Sequence, residues 1–232
     1  MDIDIHITEK EPSYLTVELT NGSIKNSKRI STQKLIEILN ENTGMFVNKV
    51  RTGKMPRGFV DSNMDYETKT GIIAVYVPAA VRRMNFNGEK AMIPFPNLIL
   101  FYEFSKGKHQ KTAAFAVKED TVERIHGDTN LYNYPFGNVT PGTGNVCWGS
   151  NRHDELVKIA DVNIFTDKFL NSPTNRDLYQ VGISNSSKKE LPEFLNELKE
   201  QVEKNNNVVF NPDYLVQTTH TLNSMMSGLK NY

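Results

Sequence analysis

Cys147 is the one cysteine among 232 residues, and it lies within Asn138-Val139-Thr140-Pro141-Gly142-Thr143-Gly144-Asn145-Val146-Cys147-Trp148-Gly149-Ser150, a stretch dense in turn residues. The thiolate, not the thiol, is the nucleophile, and an apolar interior resists its formation. A sulfur presented on a glycine-rich loop is therefore placed for chemistry, whereas a free cysteine in an apolar element behaves as a small hydrophobe. Asn138, at the head of the same stretch, is a residue that orders tight loops through its own side-chain hydrogen bonds. Trp148 is read as a packing residue or lid beside the thiol. His153-Asp154 follows closely and invites a Cys-His-Asp hydrolase reading, although triad members usually converge from separate segments.

The remaining chemistry-bearing residues are plainer. His109 and His126 have polar and charged neighbours and read as solvated loop residues, while His6 and His220 have no partner at ligand spacing, which argues against a metal site. Gly142 and Gly144 are not followed by the Gly-Lys-Ser/Thr of a phosphate loop. Lys118-Glu119-Asp120 reads as the solvated end of a strand.

The elements that must position the thiol are mostly strands. Ile3 to Ile7 and Tyr14 to Leu19 alternate apolar and polar residues, and Asn21-Gly22 joins the second run to Ser23–Ile30 as a hairpin signal. Ser31 introduces a short helix with Leu35, Ile38 and Leu39 on one face and Gly44 as its stop. Strands follow at Gly71 to Val77, Val81 to Phe86 and Lys90 to Ile93, with Asn87-Gly88 as a tight turn. Pro94-Phe95-Pro96 is the expected boundary, dividing a β-rich N-terminal region, 1–93, from a second region, 94–232. Asn97 to Phe104 and Lys111 to Val117 then read as central strands, the first too apolar to face water on either side. Thr129 to Ser150 is expected to be an ordered loop crossing the sheet edge, held by the scaffold beneath it. In the C-terminal third, Ser187-Lys188-Lys189-Glu190 matches a capping box before an apolar stripe of Leu191, Phe194, Leu195, Leu198 and Val202. Shorter helices are expected around Arg152 to Val162 and in the last dozen residues, with Met225 and Met226 packing.

Composition bounds the class. At 38% hydrophobic residues the chain can bury a core without staples. Lys+Arg and Asp+Glu both total 27, so no bulk field favours nucleic acid or an anionic membrane. A lone cysteine allows no internal disulfide, and no window approaches the roughly 18 apolar residues of a spanning helix. The expectation is a cytoplasmic protein without membrane attachment or structural metal.

Tyr134-Pro135-Phe136-Gly137-Asn138-Val139, followed by a turn and Gly144-Asn145-Val146-Cys147, resembles the active-site stretch of the ubiquitin-conjugating enzyme superfamily. There a His-Pro-Asn triplet and a following Ile or Val precede a Gly-x-Ile/Val-Cys element. Here the triplet position reads Phe136-Gly137-Asn138, which keeps the asparagine alone, and the turn is one residue longer. This is similar to prokaryotic family D of that superfamily, including the PRTRC system protein B group, which keeps the cysteine and lacks the histidine. Tyr76-Val77-Pro78 with Val81-Arg82-Arg83, Pro94-Phe95-Pro96-Asn97-Leu98, Ala114-Phe115-Ala116-Val117-Lys118 and Thr129-Asn130-Leu131-Tyr132 extend the likeness over residues 72–150.

The resemblance implies an α+β fold: an antiparallel meander sheet of the ubiquitin-conjugating type, the cysteine on the loop after its last strand, C-terminal helices, and an added β-rich N-terminal region. It also implies a function, one that needs no bound cofactor because ATP is consumed by an upstream enzyme. Cys147 would receive a ubiquitin-like protein from a ThiF-type adenylating enzyme, hold it as a thioester and pass it to an amine. Asn138 matches the residue whose amide stabilises the developing oxyanion. The context implied is bacterial, on plasmids and mobile elements. Two alternatives stand beside it: an inactive scaffold of the same fold that binds partners through its N-terminal region, and a thiol hydrolase using His153.

Overall fold

The computed structural model describes residues 2–7, 14–21, 24–34, 54–149 and 155–229. Their contacts divide the chain into two compact units, Met1–Arg51 and Thr52–Tyr232. The sequence placed the division at 93/94. Instead, Pro94 and Phe95 complete a strand whose partner precedes them, and Asn97 opens the next strand directly.

The first unit contains an antiparallel sheet in the order β1 (Asp2–Ile7), β2 (Tyr14–Asn21) and β3 (Ile24–Ser31). Asn21 is itself paired, opposite Ile24, one position away from the register in which Asn21 and Gly22 would be the two turn residues. The Ser31 hydroxyl accepts the Lys34 N–H at 3.1 Å, as an N-cap does. The expected helix face of Leu35, Ile38 and Leu39, its stop at Gly44 and the turn residue Gly22 lie outside the described residues.

The second unit is built on a six-stranded antiparallel sheet. In chain order its strands are β4 (Phe59–Asp65), β5 (Thr70–Val77), β8 (Asn97–Ser105), β9 (Lys108–Val117), β10 (Asn130–Asn133) and β11 (Gln217–Thr221), and they lie side by side in that order. A separate hairpin of β6 (Ala80–Phe86) and β7 (Glu89–Phe95) is inserted between β5 and β8. It turns at Asn87 and Gly88, both at positive φ (50° and 91°), as the tight-turn signal requires.

The expectation that β8 is buried on both sides holds: Leu98 to Tyr102 are all fully buried. Successive side chains in a strand point to opposite faces. Leu98, Leu100, Tyr102 and Phe104 pack toward α1 (Val162–Asn171) and α2 (Leu191–Lys204), whereas Ile99 and Phe101 pack with Leu222, Met225 and Met226 of α3 (Leu222–Met226). Leu191, Phe194, Leu195, Leu198 and Val202 of α2 are all buried, each contributing about 1.5–3 kcal/mol of transfer free energy.

Several elements differ from expectation. β4 is a polar edge strand, FVDSNMD, with no apolar run to announce it. α1 begins at Val162, where a helix was expected to finish, because the apolar repeat that faces the core is Val162, Phe165 and Phe169. α2 starts after Glu190, with Pro192 in its first turn and no side-chain cap; the Ser187 hydroxyl donates to Asn185 Oδ1 at 2.5 Å instead of capping the helix. The cysteine loop follows β10, but the sheet then gains β11 from beyond α2, so β10 is not its last strand. No helix of the described residues is long and apolar enough to cross a membrane.

Candidate functional site

The chain approaches the thiol through an aromatic plug. After β10, Phe136 is fully buried, with its ring 5.0 Å from that of Phe95, 5.3 Å from Tyr134, and 6.2 Å from both Phe194 and Phe210. The buried Asn185 amide donates to the Pro135 carbonyl at 2.9 Å. The position matched to the superfamily histidine is thus a core residue. Gly137 follows, and only glycine fits: a Cβ there would lie 1.8 Å from the Asn175 carbonyl oxygen.

From Asn138 the chain forms a small hairpin. The Cys147 N–H donates to the Asn138 carbonyl at 2.8 Å, the Thr140 N–H to the Asn145 carbonyl at 2.9 Å, and the Gly144 N–H to the Thr140 carbonyl at 2.9 Å. The returning arm lies along β9: Ala114 N–H donates to Gly144 O and Val146 N–H to Thr112 O, both at 2.9 Å. β10 pairs with β9 at Ala116 and Phe115, so the returning arm continues the same edge where β10 leaves it. A rigid sheet edge therefore places the exposed Cys147.

Asn138 ties this hairpin to a second wall. It sits at φ 65°, a left-handed conformation that asparagine tolerates better than most residues. Its Nδ2 donates to the Pro173 carbonyl at 2.7 Å, its Oδ1 accepts the Asn175 N–H at 3.2 Å, and its own N–H donates to the Asp177 carbonyl at 3.0 Å. Asn175 and Asp177 brace each other through Asn175 Nδ2 to Asp177 Oδ2 (2.9 Å) and Asp177 N–H to Asn175 Oδ1 (2.8 Å). Thr174 is clasped from behind by the β6–β7 turn: its N–H donates to Asn85 O at 2.7 Å and its carbonyl accepts the Asn87 N–H at 3.3 Å.

Between the hairpin and this wall lies a cleft of about 360 Å³, lined by Asn138, Cys147, Trp148, Phe169, Thr174 and Asp177 among others. Asp177 is its one charged side chain among the described residues. Trp148 meets Phe169 and His109 edge to face, at 6.1 Å in each case. His109 is not a solvated loop residue: it lies in β9, stacks on Phe165 at 5.3 Å and shares a 2.7 Å hydrogen bond with Thr112 Oγ1. Polar sequence neighbours hid this, because they point to the other face of the strand.

The structure thus brings Cys147 and Asn138 together. His153 and Asp154, on which the hydrolase reading rests, lie outside the described residues. His126 is exposed, His220 packs edge to face on Phe115 at 5.8 Å, and His6 stands 3.7 Å from Glu18. Among the described residues, no group of three or more His, Cys, Asp or Glu is placed to hold a metal ion. The wall residues Pro173, Asn175 and Asp177 were not singled out in the sequence. The Asn-x-Asp spacing signals a local turn, but nothing local joins it to Asn138.

The family model described as prokaryotic E2 family D matches residues 41–218, well over half of the chain. No curated protein and no solved structure matches.

Proposed function

Because the chain belongs to prokaryotic E2 family D, a ubiquitin-conjugating-like family, we propose that Cys147 carries a ubiquitin-like protein as a thioester and transfers it to an amine. The observation that carries this reading is the exposed Cys147 on a hairpin pinned to β9, cross-strand from Asn138 and opening onto a cleft.

In the first step the Cys147 thiolate attacks the thioester carbonyl of a modifier held by a ThiF-type adenylating enzyme. A carbon–sulfur bond to Cys147 forms, the bond to the donor sulfur breaks, and the donor leaves as a thiolate. In the second an amine nitrogen attacks the same carbonyl, a carbon–nitrogen bond forms, Cys147 leaves as a thiolate and the ammonium proton passes to solvent. ATP is consumed upstream, so no bound cofactor is required. An asparagine amide has two N–H donors. One of Asn138's is held by Pro173 O, and the other is the donor assigned to the developing oxyanion. The cytoplasmic, bacterial mobile-element setting and the kinship with the PRTRC system protein B group belong to this same reading.

Intact mass spectrometry under non-reducing conditions tests it, on protein expressed in its host beside its genomic neighbours. A protein-sized adduct on Cys147 that thiol reductant removes is the expected result, with Cys147→Ser retaining the adduct as a reductant-resistant ester. Unadducted masses for both wild type and Cys147→Ser would sink the carrier reading. The scaffold alternative draws on Phe136 and Gly137 standing where the superfamily has His and Pro, both explained here by packing alone. It expects Cys147→Ala to leave every partner interaction unchanged.

A further inference from the structure

Strand alternation puts Asn133 on the same face of β10 as Leu131, opposite Phe115 of β9, where the surrounding residues are apolar. It is nevertheless an amide, and it is 5% exposed. A buried polar group in an apolar layer needs specific partners. Asn133 Oδ1 accepts the Gly142 N–H at 2.7 Å, and Asn133 Nδ2 donates to the Ile183 carbonyl at 3.0 Å.

These two partners lie outside the cleft lining, on segments that lead to its two different walls. Gly142 is in the turn of the cysteine hairpin, between the Thr140 and Asn145 that close it. Ile183 ends the segment that leaves the opposite wall at Asp177, the residue whose carbonyl accepts the Asn138 N–H. The hairpin's arms are fixed elsewhere, by β9 on one side and by Asn138 on the other. Its turn has Asn133 as a side-chain support, and the same side chain holds the far end of the opposing segment.

We infer that Asn133 is a positioning residue for Cys147: its buried amide sets the separation of the two walls of the thiol cleft, and so the geometry in which a bound acyl group meets the incoming amine. The inference rests on the carrier reading. Attack requires the reacting atoms to be held in near-attack geometry, and a displacement of about 1 Å costs up to roughly 100-fold in rate.

The test compares Asn133→Leu with Asn133→Asp in the full chain. The aspartate keeps an acceptor for Gly142 N–H and loses the donor to Ile183 O; the leucine loses both. Thioester purified from host cells is discharged with hydroxylamine, and backbone hydrogen exchange is followed at Gly142 and across 177–184. Wild type should discharge fastest, and Asn133→Asp and Asn133→Leu both about tenfold slower, because loss of the Ile183 contact alone already uncouples the two segments. Gly142 exchange should accelerate in the leucine variant alone, and 177–184 in both. Discharge at the wild-type rate in both variants, despite accelerated Gly142 exchange in the leucine variant, would overturn the inference, leaving Asn133 a structural clamp. If wild type forms no thioester, the carrier reading itself fails; iodoacetamide then replaces hydroxylamine, and equal alkylation of Cys147 in all three proteins overturns the positioning role as well.

Discussion

Cys147 and Asn138 are cross-strand partners: the Cys147 N–H donates to the Asn138 carbonyl at 2.8 Å, while the Asn138 side chain reaches Pro173 O at 2.7 Å and Asn175 N–H at 3.2 Å. One residue thereby connects the backbone beneath the thiol to the wall that faces it. Any role that Asn138 has toward an oxyanion is added to this one.

Asn138→Gly and Asn138→Ala separate backbone from side chain. Both lose the two amide contacts, at about 1–2 kcal/mol. Alanine also has to hold φ 65°, which costs about 1 kcal/mol more than glycine. Urea unfolding midpoints should rank wild type, then glycine, then alanine. Discharge to hydroxylamine should fall at least tenfold in both; discharge at the wild-type rate would remove Asn138 from the chemistry.

Gly137→Ala drives a Cβ to 1.8 Å from the Asn175 carbonyl. The wall has to move, and overpacking of this kind costs about 3 kcal/mol or more. Since Asn175 N–H also holds Asn138 Oδ1, iodoacetamide alkylation of Cys147 should change in rate. An unaltered melting temperature would show that the wall yields freely.

Phe136→Ala should destabilise the second unit by about 3–5 kcal/mol, as expected for removing a buried aromatic ring. Phe136→His, which restores the superfamily residue, should also destabilise, by about 1–3 kcal/mol, because the imidazole's polar atoms would enter a layer of Phe95, Tyr134, Phe194 and Phe210. A stabilised histidine variant would mean that the plug leaves room for a polar partner.

Tyr76 supplies a pH signature. Burial, reinforced by Asp120, Glu119 and Glu123, pushes its phenol up to about 12 from an ordinary 10; its hydroxyl donates to Asn97 Oδ1 at 2.7 Å. The folded state holds this proton more tightly than the unfolded chain. The contribution is therefore complete below pH 10 and lost as pH rises toward 12. Across that window wild type should lose stability relative to Tyr76→Phe in denaturant titrations. Parallel curves would show that the phenol does not report folding.

What the sequence made legible follows the physics of burial. The run Leu98 to Tyr102 could only be a two-sided buried strand, and the stripe from Leu191 to Val202 only an amphipathic helix. The placement of Cys147 on a turn-rich segment was legible for the same reason, since glycine and asparagine announce tight turns. β4 was not, because an edge strand with one half-buried face carries polar residues that leave no apolar run. The second wall of the cleft was not legible either. Asn138 and Pro173 are joined by a hydrogen bond across 35 positions of sequence, and no local pattern encodes such a partner. Ser187 shows the converse: a capping signature is satisfied by a competing local acceptor, Asn185, before the helix begins.

The β6–β7 hairpin is inserted between two strands that pair directly, β5 and β8, so a protein engineer trimming this chain to a minimal scaffold would excise it first. The grip of Asn85 and Asn87 on Thr174 makes that shortcut expensive: the sheet would close, but the wall opposite the sulfur would lose its backing. The insertion belongs to the smallest transplantable unit of this site, and a graft of residues 134–149 onto another sheet would carry the thiol without the surroundings that orient it.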